Sequence, residues 1–403
     1  MKNIPKSLKK YPGQFWLLMC GVLISTIGVS MIWPFLMIYS TEKLGLSLTI
    51  VAGLMTFNSA MGLIFSLIAG PIIDRAGRKW IMVFSLALHG ISYFFLGKAD
   101  TLLEFYILMG LSGAVGPLYR IGANAMIADL LPDKDRIDGY ALFRMTSNAA
   151  IALGPAIGGF LATSSYSLAF TFATIGLSIY ALLISIFAKE TLPKNINTNK
   201  ESISLRNNYT IILKDKPFLK FIFAFLLTQL CSSLIWVLLA VYMKTYFGIP
   251  ENQFGFIPTT NAIMVVTLQV LITRFTKKHK PSLIMALGSF LYGIGVGSVA
   301  LGNSFWGFWV SMIIMTIGEL IIMPTSNAYV AKLAPDDMRG RYMGLFSLTW
   351  GVAAGIAPVT GGLMSDNFGF RSPWISAFFL GTLSALVFLS LYKSQKNKQI
   401  SQT

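Results

Sequence analysis

Apolar positions in this chain neither alternate nor recur once per helical turn; they run together. Residues 145–188 and 281–318 carry no charge over 44 and 38 positions, and the breaks between apolar runs are short clusters of Lys, Arg, Asp, Gly and Pro. A helix packed on a soluble core keeps one polar face, whereas a bilayer solvates apolar side chains all round and takes about 20 of them per crossing. Division of the runs at charge clusters and turn residues predicts twelve membrane helices, near 14–39, 49–72, 80–97, 102–127, 139–162, 167–188, 218–243, 253–273, 282–301, 305–330, 342–364 and 371–392. Strands of a membrane barrel would alternate over segments of about ten residues; these do not. An all-α membrane protein is therefore expected, each helix closing its own backbone hydrogen bonds.

Composition agrees: of 403 residues 55% are hydrophobic and 12% charged. Charge fixes the expected orientation. With both termini cytoplasmic, 26 of the 32 Lys and Arg fall on inner segments and tails, four outside (Lys43, Lys98, Lys244, Arg371) and two within helices (Arg120, Arg144). Such asymmetry is the positive-inside pattern of a multi-pass protein of the cell (cytoplasmic) membrane, and it explains the net charge of +16 without nucleic acid as a partner. The basic N-terminus (Lys2, Lys6, Lys9, Lys10) leads into an apolar run too long for a signal-peptide core, so helix 1 is expected to be retained. Cys20 and Cys231 fall within helices and imply no disulfide or metal site.

A repeat divides the chain. NAMIADLLPDKDR at 124–136 returns as NAYVAKLAPDDMR at 327–339, and over positions 124–159 the offset of 203 gives 14 identities without a gap. Helices 4–5 and 10–11 are thus equivalents, and the polar stretch between the sets is a natural linker. The expected domains are an N-terminal six-helix bundle (1–188), a cytoplasmic linker (189–217) and a C-terminal six-helix bundle (218–403). Parallel six-helix repeats are the architecture in which one half rocks against the other around a midplane site.

GPIIDRAGRK at 70–79 resembles the signature loop of the major facilitator superfamily: Gly70, Asp74, Arg75, Gly77, Arg78 and Lys79 stand at its defining positions. The second half keeps only a degraded copy, TRFTKKHK, at 273–280. Helix 5 carries Arg144, Asn148, Gly154, Pro155, Gly158 and Gly159, which resembles the fifth-helix motif of the drug/proton antiporter branch, with Ala150 where many members have glycine. TIGELIIMPTSNA at 316–328 is similar to the tenth helix of certain multidrug efflux proteins. One departure is sharp: the arginine that many proton-coupled members place four residues before a helix 4 glycine is Met109 here, so that role cannot be carried over, and Arg120 and Arg144 are possible substitutes. The resemblance covers the whole chain. It implies the twelve-helix major facilitator fold, in two pseudo-symmetric bundles, and export. It also implies a gating loop in which Asp74 pairs with basic groups and the N-terminus of helix 11, while Gly154, Gly158 and Gly159 let helices approach closely and Pro155 frees a backbone carbonyl at a bend. Asp129 and its repeat partner Lys332 are expected to form a charge contact between the halves.

Glu319 is the only acid between Glu251 and Asp336. Its neighbours three, four and seven positions away include Met312, Met315, Thr316, Met323 and Ser326, a polar and thioether face suited to a cavity. Protonation would relieve the desolvation of its carboxylate, so Glu319 is the proton-coupling candidate. Substrate-binding candidates at intermediate depth are Met31, Trp33, Asn58, Arg144, Asn148, Gln229, Trp236, Asn261 and Met323. Rings and thioethers repack around varied apolar molecules, and an acid favours cations. Four functions compete: a proton-coupled exporter of lipophilic or cationic drugs, an exporter or importer of one metabolite such as a sugar, a membrane enzyme, and a receptor. No HExxH pair, GxSxG elbow or phosphate loop supports an enzyme, and His89 and His279 stand apart in sequence. The protein is expected to work as a monomer on small molecules and protons in a lipid bilayer, without cofactor or metal.

Overall fold

The computed structural model describes residues 11–192, 212, 214–335 and 338–400; most of the 189–217 linker lies outside them. Among the described residues twelve helices are long and apolar enough to cross a membrane, and no strand occurs. They are α1 (Gly13–Leu44), α2 (Leu48–Ala76), α3 (Arg78–Leu96), α4 (Leu102–Leu130), α5 (Asp133–Ser164) and α6 (Tyr166–Phe187), then α7 (Lys216–Phe247), α8 (Glu251–Thr276), α9 (Pro281–Leu301), α10 (Phe305–Leu333), α11 (Arg339–Phe368) and α12 (Ser372–Ile400).

Local chemistry explains where these helices start and bend. A capping box opens α4, with Thr101 accepting from the Glu104 amide and Glu104 reaching back to the Thr101 amide, which satisfies donors left over at a helix start. Asp215 caps α7 through the Phe218 amide and also accepts from the Tyr342 hydroxyl at 2.8 Å. α1 is not the uniform helix the apolar run predicts: Pro34 lacks an amide donor, and Trp33–Phe35 tightens into a 3-10 turn before the helix resumes to Leu44.

Packing divides the chain into two compact units. One comprises Met1–Leu46, Phe57–Ile196 and Pro250–Thr259; the other comprises Ser47–Thr56, Asn197–Ile249 and Thr260–Thr403. Within the first, α1 packs on α5 and α6, and α3 on α4 and α6; within the second, α7 packs on α11 and α12, and α9 on α10 and α12. The sequence repeat is therefore a repeat of packing. In the first unit a Cβ on Gly158 would collide with the Met31 carbonyl of α1, so α5 can approach that closely only with glycine there. Gly159, one position on, turns to the start of α8 at Glu251. Gly361 and Gly362 repeat the division in the second unit, facing Leu238 of α7 and Thr49 at the start of α2.

Candidate functional site

Three groups of polar residues stand out, and each lies within one unit. The first surrounds Glu319, the fifteenth of 29 residues in α10 and so near its middle. Its Oε2 accepts from Asn261 Nδ2 of α8 at 2.8 Å, and the same amide nitrogen lies 2.9 Å from Thr316 Oγ1. One position earlier, Thr260 accepts from Trp309 Nε1 at 2.9 Å, and two turns later Gln269 donates to the Leu320 carbonyl at 3.1 Å. Side-chain polar bonds thus join α8 and α10 at this depth. No basic side chain among the described residues forms an ion pair with Glu319. Gln229 of α7 approaches Met323 Sδ at 3.9 Å, and Trp236 is half-buried two turns along the same helix. The face is less open than its composition implies: Met312, Met315 and Thr316 are at most 1% exposed, because Gly295 of α9 presses on the Met315 backbone. The thioethers there fill a packed helix contact and leave the carboxyl as its polar edge.

The second group lines a cavity of 450 Å³ inside the first unit. Trp33, Asn58 and Arg120 reach it, as does a pair that sequence reasoning did not single out, His89 and Ser112, bonded at 2.9 Å. Asn58 Nδ2 donates to the Met109 carbonyl at 2.7 Å, holding α2 on α4. Met31, Asn148 and Arg144 do not line it. Met31 is 4% exposed and faces a small apolar cleft with Tyr39 and Tyr166; Asn148 is half-buried and Arg144 exposed on α5.

The third group is the Gly70–Lys79 loop. Gly77 has φ 95° and caps α3, a backbone conformation that favours glycine, and a Cβ there would meet the Glu190 carboxylate at 2.5 Å. That carboxylate accepts the Arg78 and Lys79 amides at 2.9 and 3.0 Å, the free donors of the α3 N-terminus. Burial pushes the Glu190 carboxyl up, but amides of Leu192, Arg78, Lys79 and Thr191 outweigh it and hold the group below its ordinary value. Arg78 pairs with Asp129 at 3.0 Å and with exposed Asp74 at 3.3 Å; Lys79 lies over the Trp80 ring. Asp129 also accepts from the Thr191 hydroxyl at 2.9 Å. Asp129 therefore has its partners in its own unit, while Lys332, on which the charge-contact expectation also rests, is exposed on α10. Arg75 is exposed, and a Cβ on Gly70 would meet nothing within 4 Å.

The family model described as Major Facilitator Superfamily matches residues 18–233 and 221–402. The chain belongs to the major facilitator superfamily. Among curated relatives, a Na+, Li+, K+/H+ antiporter of Planococcus maritimus is 30% identical over 393 residues, covering 90% of this chain and 92% of that one. Multidrug resistance protein 1 of Bacillus subtilis is 26% identical, covering 87% and 89%. The nucleoside transporter NupG superposes with a TM-score of 0.81 at 12% identity, covering 94% of this chain and 99% of that one, which supports the major facilitator fold. Fold and relatives are those of transporters rather than enzymes.

Proposed function

We propose that this major facilitator protein is a proton-coupled exporter of lipophilic and cationic drugs, working by rocker-switch alternating access of two six-helix halves. The supporting observation is Glu319: a carboxyl group at the middle of a membrane helix, held by Asn261 and paired with no basic residue among those described. Such a group binds a proton or a cation but gains little from both, because protonation removes the charge that attracts the cation. A force of about 100 mV is worth roughly 2.3 kcal/mol per proton, enough for nearly fiftyfold accumulation of a neutral cargo in one-for-one exchange. In this reading the protein is a monomer of the cell membrane with cytoplasmic termini, and the Gly70–Lys79 loop is its cytoplasmic gate. Gln229, Trp236 and Met323 contribute adaptable contacts to the cargo.

A second reading is supported by the antiporter relative and by the oxygens of Glu319 and Thr316, which lie on one face of α10 and are hard donors of the kind alkali cations take: the exported cation would be a bare metal ion. Everted vesicles carrying an imposed pH gradient distinguish the two. Drug export predicts ethidium movement that collapses with the gradient, falls to background in Glu319→Gln and survives in part in Glu319→Asp. Gradient-driven sodium movement with no ethidium movement selects the second reading. Wild-type transport of either cargo by Glu319→Gln would remove the proton-carrying role from this residue.

A further inference from the structure

We propose that the cavity within the first unit is a binding site for a compact organic carboxylate with an aromatic or apolar body, and that Arg120 is its counter-charge. The volume of 450 Å³ lies within the range of about 300–1,000 Å³ usual for small-molecule sites. Arg120 lines the cavity from α4, roughly 15 Å of helix rise short of the Leu130 end. Its planar guanidinium offers a fork of donors, and no acid among the described residues forms an ion pair with it. The loop acids Asp74 and Asp129 pair with Arg78, and Asp100 pairs with Lys43. The adjacent Tyr119 has a buried hydroxyl that meets no acceptor with good hydrogen-bond geometry, although the Ser25 and Tyr180 hydroxyls stand near it, and it lines the same cavity.

A cation and a neighbouring unused donor match a carboxylate, which accepts from both and is charge-balanced by one guanidinium. A phosphate dianion would ask for a second cation, and none lines the cavity. Trp33, also in the lining, supplies a ring for an aromatic body, while His89 Nε2 and Ser112 Oγ bond to each other at the wall.

The site uses no residue of the Glu319 group, so the two readings fail separately. Full-length protein in detergent is titrated with 1-naphthoate and with neutral, nearly isosteric 1-naphthamide by calorimetry. One saturable site is expected, with naphthoate bound roughly tenfold to a hundredfold more tightly than the amide, the span of a charge-assisted pair. Arg120→Gln should bring naphthoate down to the level of the amide and leave the amide unchanged, which also shows that the variant is folded. Arg120→Lys should retain part of the preference, Tyr119→Phe should weaken naphthoate a few fold, and Glu319→Gln should alter neither probe. Equal affinity for the two probes, no saturable site, or naphthoate binding indifferent to Arg120→Gln overturns the proposal.

Discussion

Arg78 shows how differently two carboxylates can matter to one cation. Its partner Asp129 is 20% exposed and also bonded to Thr191, whereas Asp74 is 61% exposed and reaches Arg78 across the turn at Gly77. Shielded, hydrogen-bonded charges are costly to orphan, and exposed pairs are worth about 0–1 kcal/mol and often nothing measurable. Asp129→Ala should therefore lower the stability of the purified protein by about 1–2 kcal/mol, and Asp74→Ala by less than about 0.5 kcal/mol, as read by thermal unfolding in detergent. Asp74→Asn should nonetheless slow transport while leaving the equilibrium affinity for whichever cargo is transported within a few fold, because an exposed acid is free to act as a gate. Equal destabilisation by the two alanines would contradict the exposure argument. At this scale the sequence exposes residues that break a pattern: Glu319 stands out as the single acid in a long apolar run, and Asp74 by its spacing from glycines and arginines. Glu190, His89, Ser112 and Tyr119 break none. Glu190 meets the α3 amides across 112 positions and His89 meets Ser112 across 23, and no periodicity carries such partnerships.

Helices meet in this protein through small residues whose tolerance depends on what faces them. Gly158 faces backbone, the Met31 carbonyl, whereas its repeat equivalent Gly361 faces the ends of the Leu234 and Leu238 side chains. Backbone cannot rotate away and leucine tips can, so Gly158→Ala should cost about 1–3 kcal/mol, in the range of overpacking, and Gly361→Ala clearly less; similar losses in expression and melting temperature would refute the distinction. The α3 N-terminus permits a pH test. Glu190 is held below its ordinary value, so its cap is fully present above the unfolded value of about 4.3 and is lost as pH falls through the lower folded one. Hydrogen exchange at the Arg78 and Lys79 amides, expressed relative to its intrinsic rate at each pH, should stay slow through neutral pH and gain speed only below that window. In Glu190→Gln it should be about tenfold faster at neutral pH, since a charged acceptor is replaced by a neutral one. Twelve helices were legible because each is an apolar run of bilayer length; the 3-10 turn at Pro34 was not, since the run continues unbroken through it and only the proline marks the place.

The two compact units do not coincide with the two halves of the sequence. Ser47–Thr56 of the first half belongs to the second unit, and Pro250–Thr259 of the second half belongs to the first. Hydropathy gives no sign of this, because a lipid-facing and a protein-facing apolar run read alike. The exchange does have a sign in the repeat: the second glycine of each GG pair, Gly159 and Gly362, faces the exchanged segment. This arrangement sets an order of events at the ribosome. Translation proceeds at about 5–20 residues per second, so residues 250–259 emerge roughly 3–12 seconds after residue 196 has been made. For that interval the first unit sits in the membrane with the Gly159 face of α5 uncovered, and Ser47–Thr56 waits longer still, until α11 is made. A chain stopped after residue 276 should therefore resist protease across α1–α6, and one stopped at 196 should be cut within them; equal resistance would mean that the first unit matures without its borrowed segment. A contact begun by the second helix is completed only by the eleventh, so an early segment of this transporter finds its place long after it has entered the membrane.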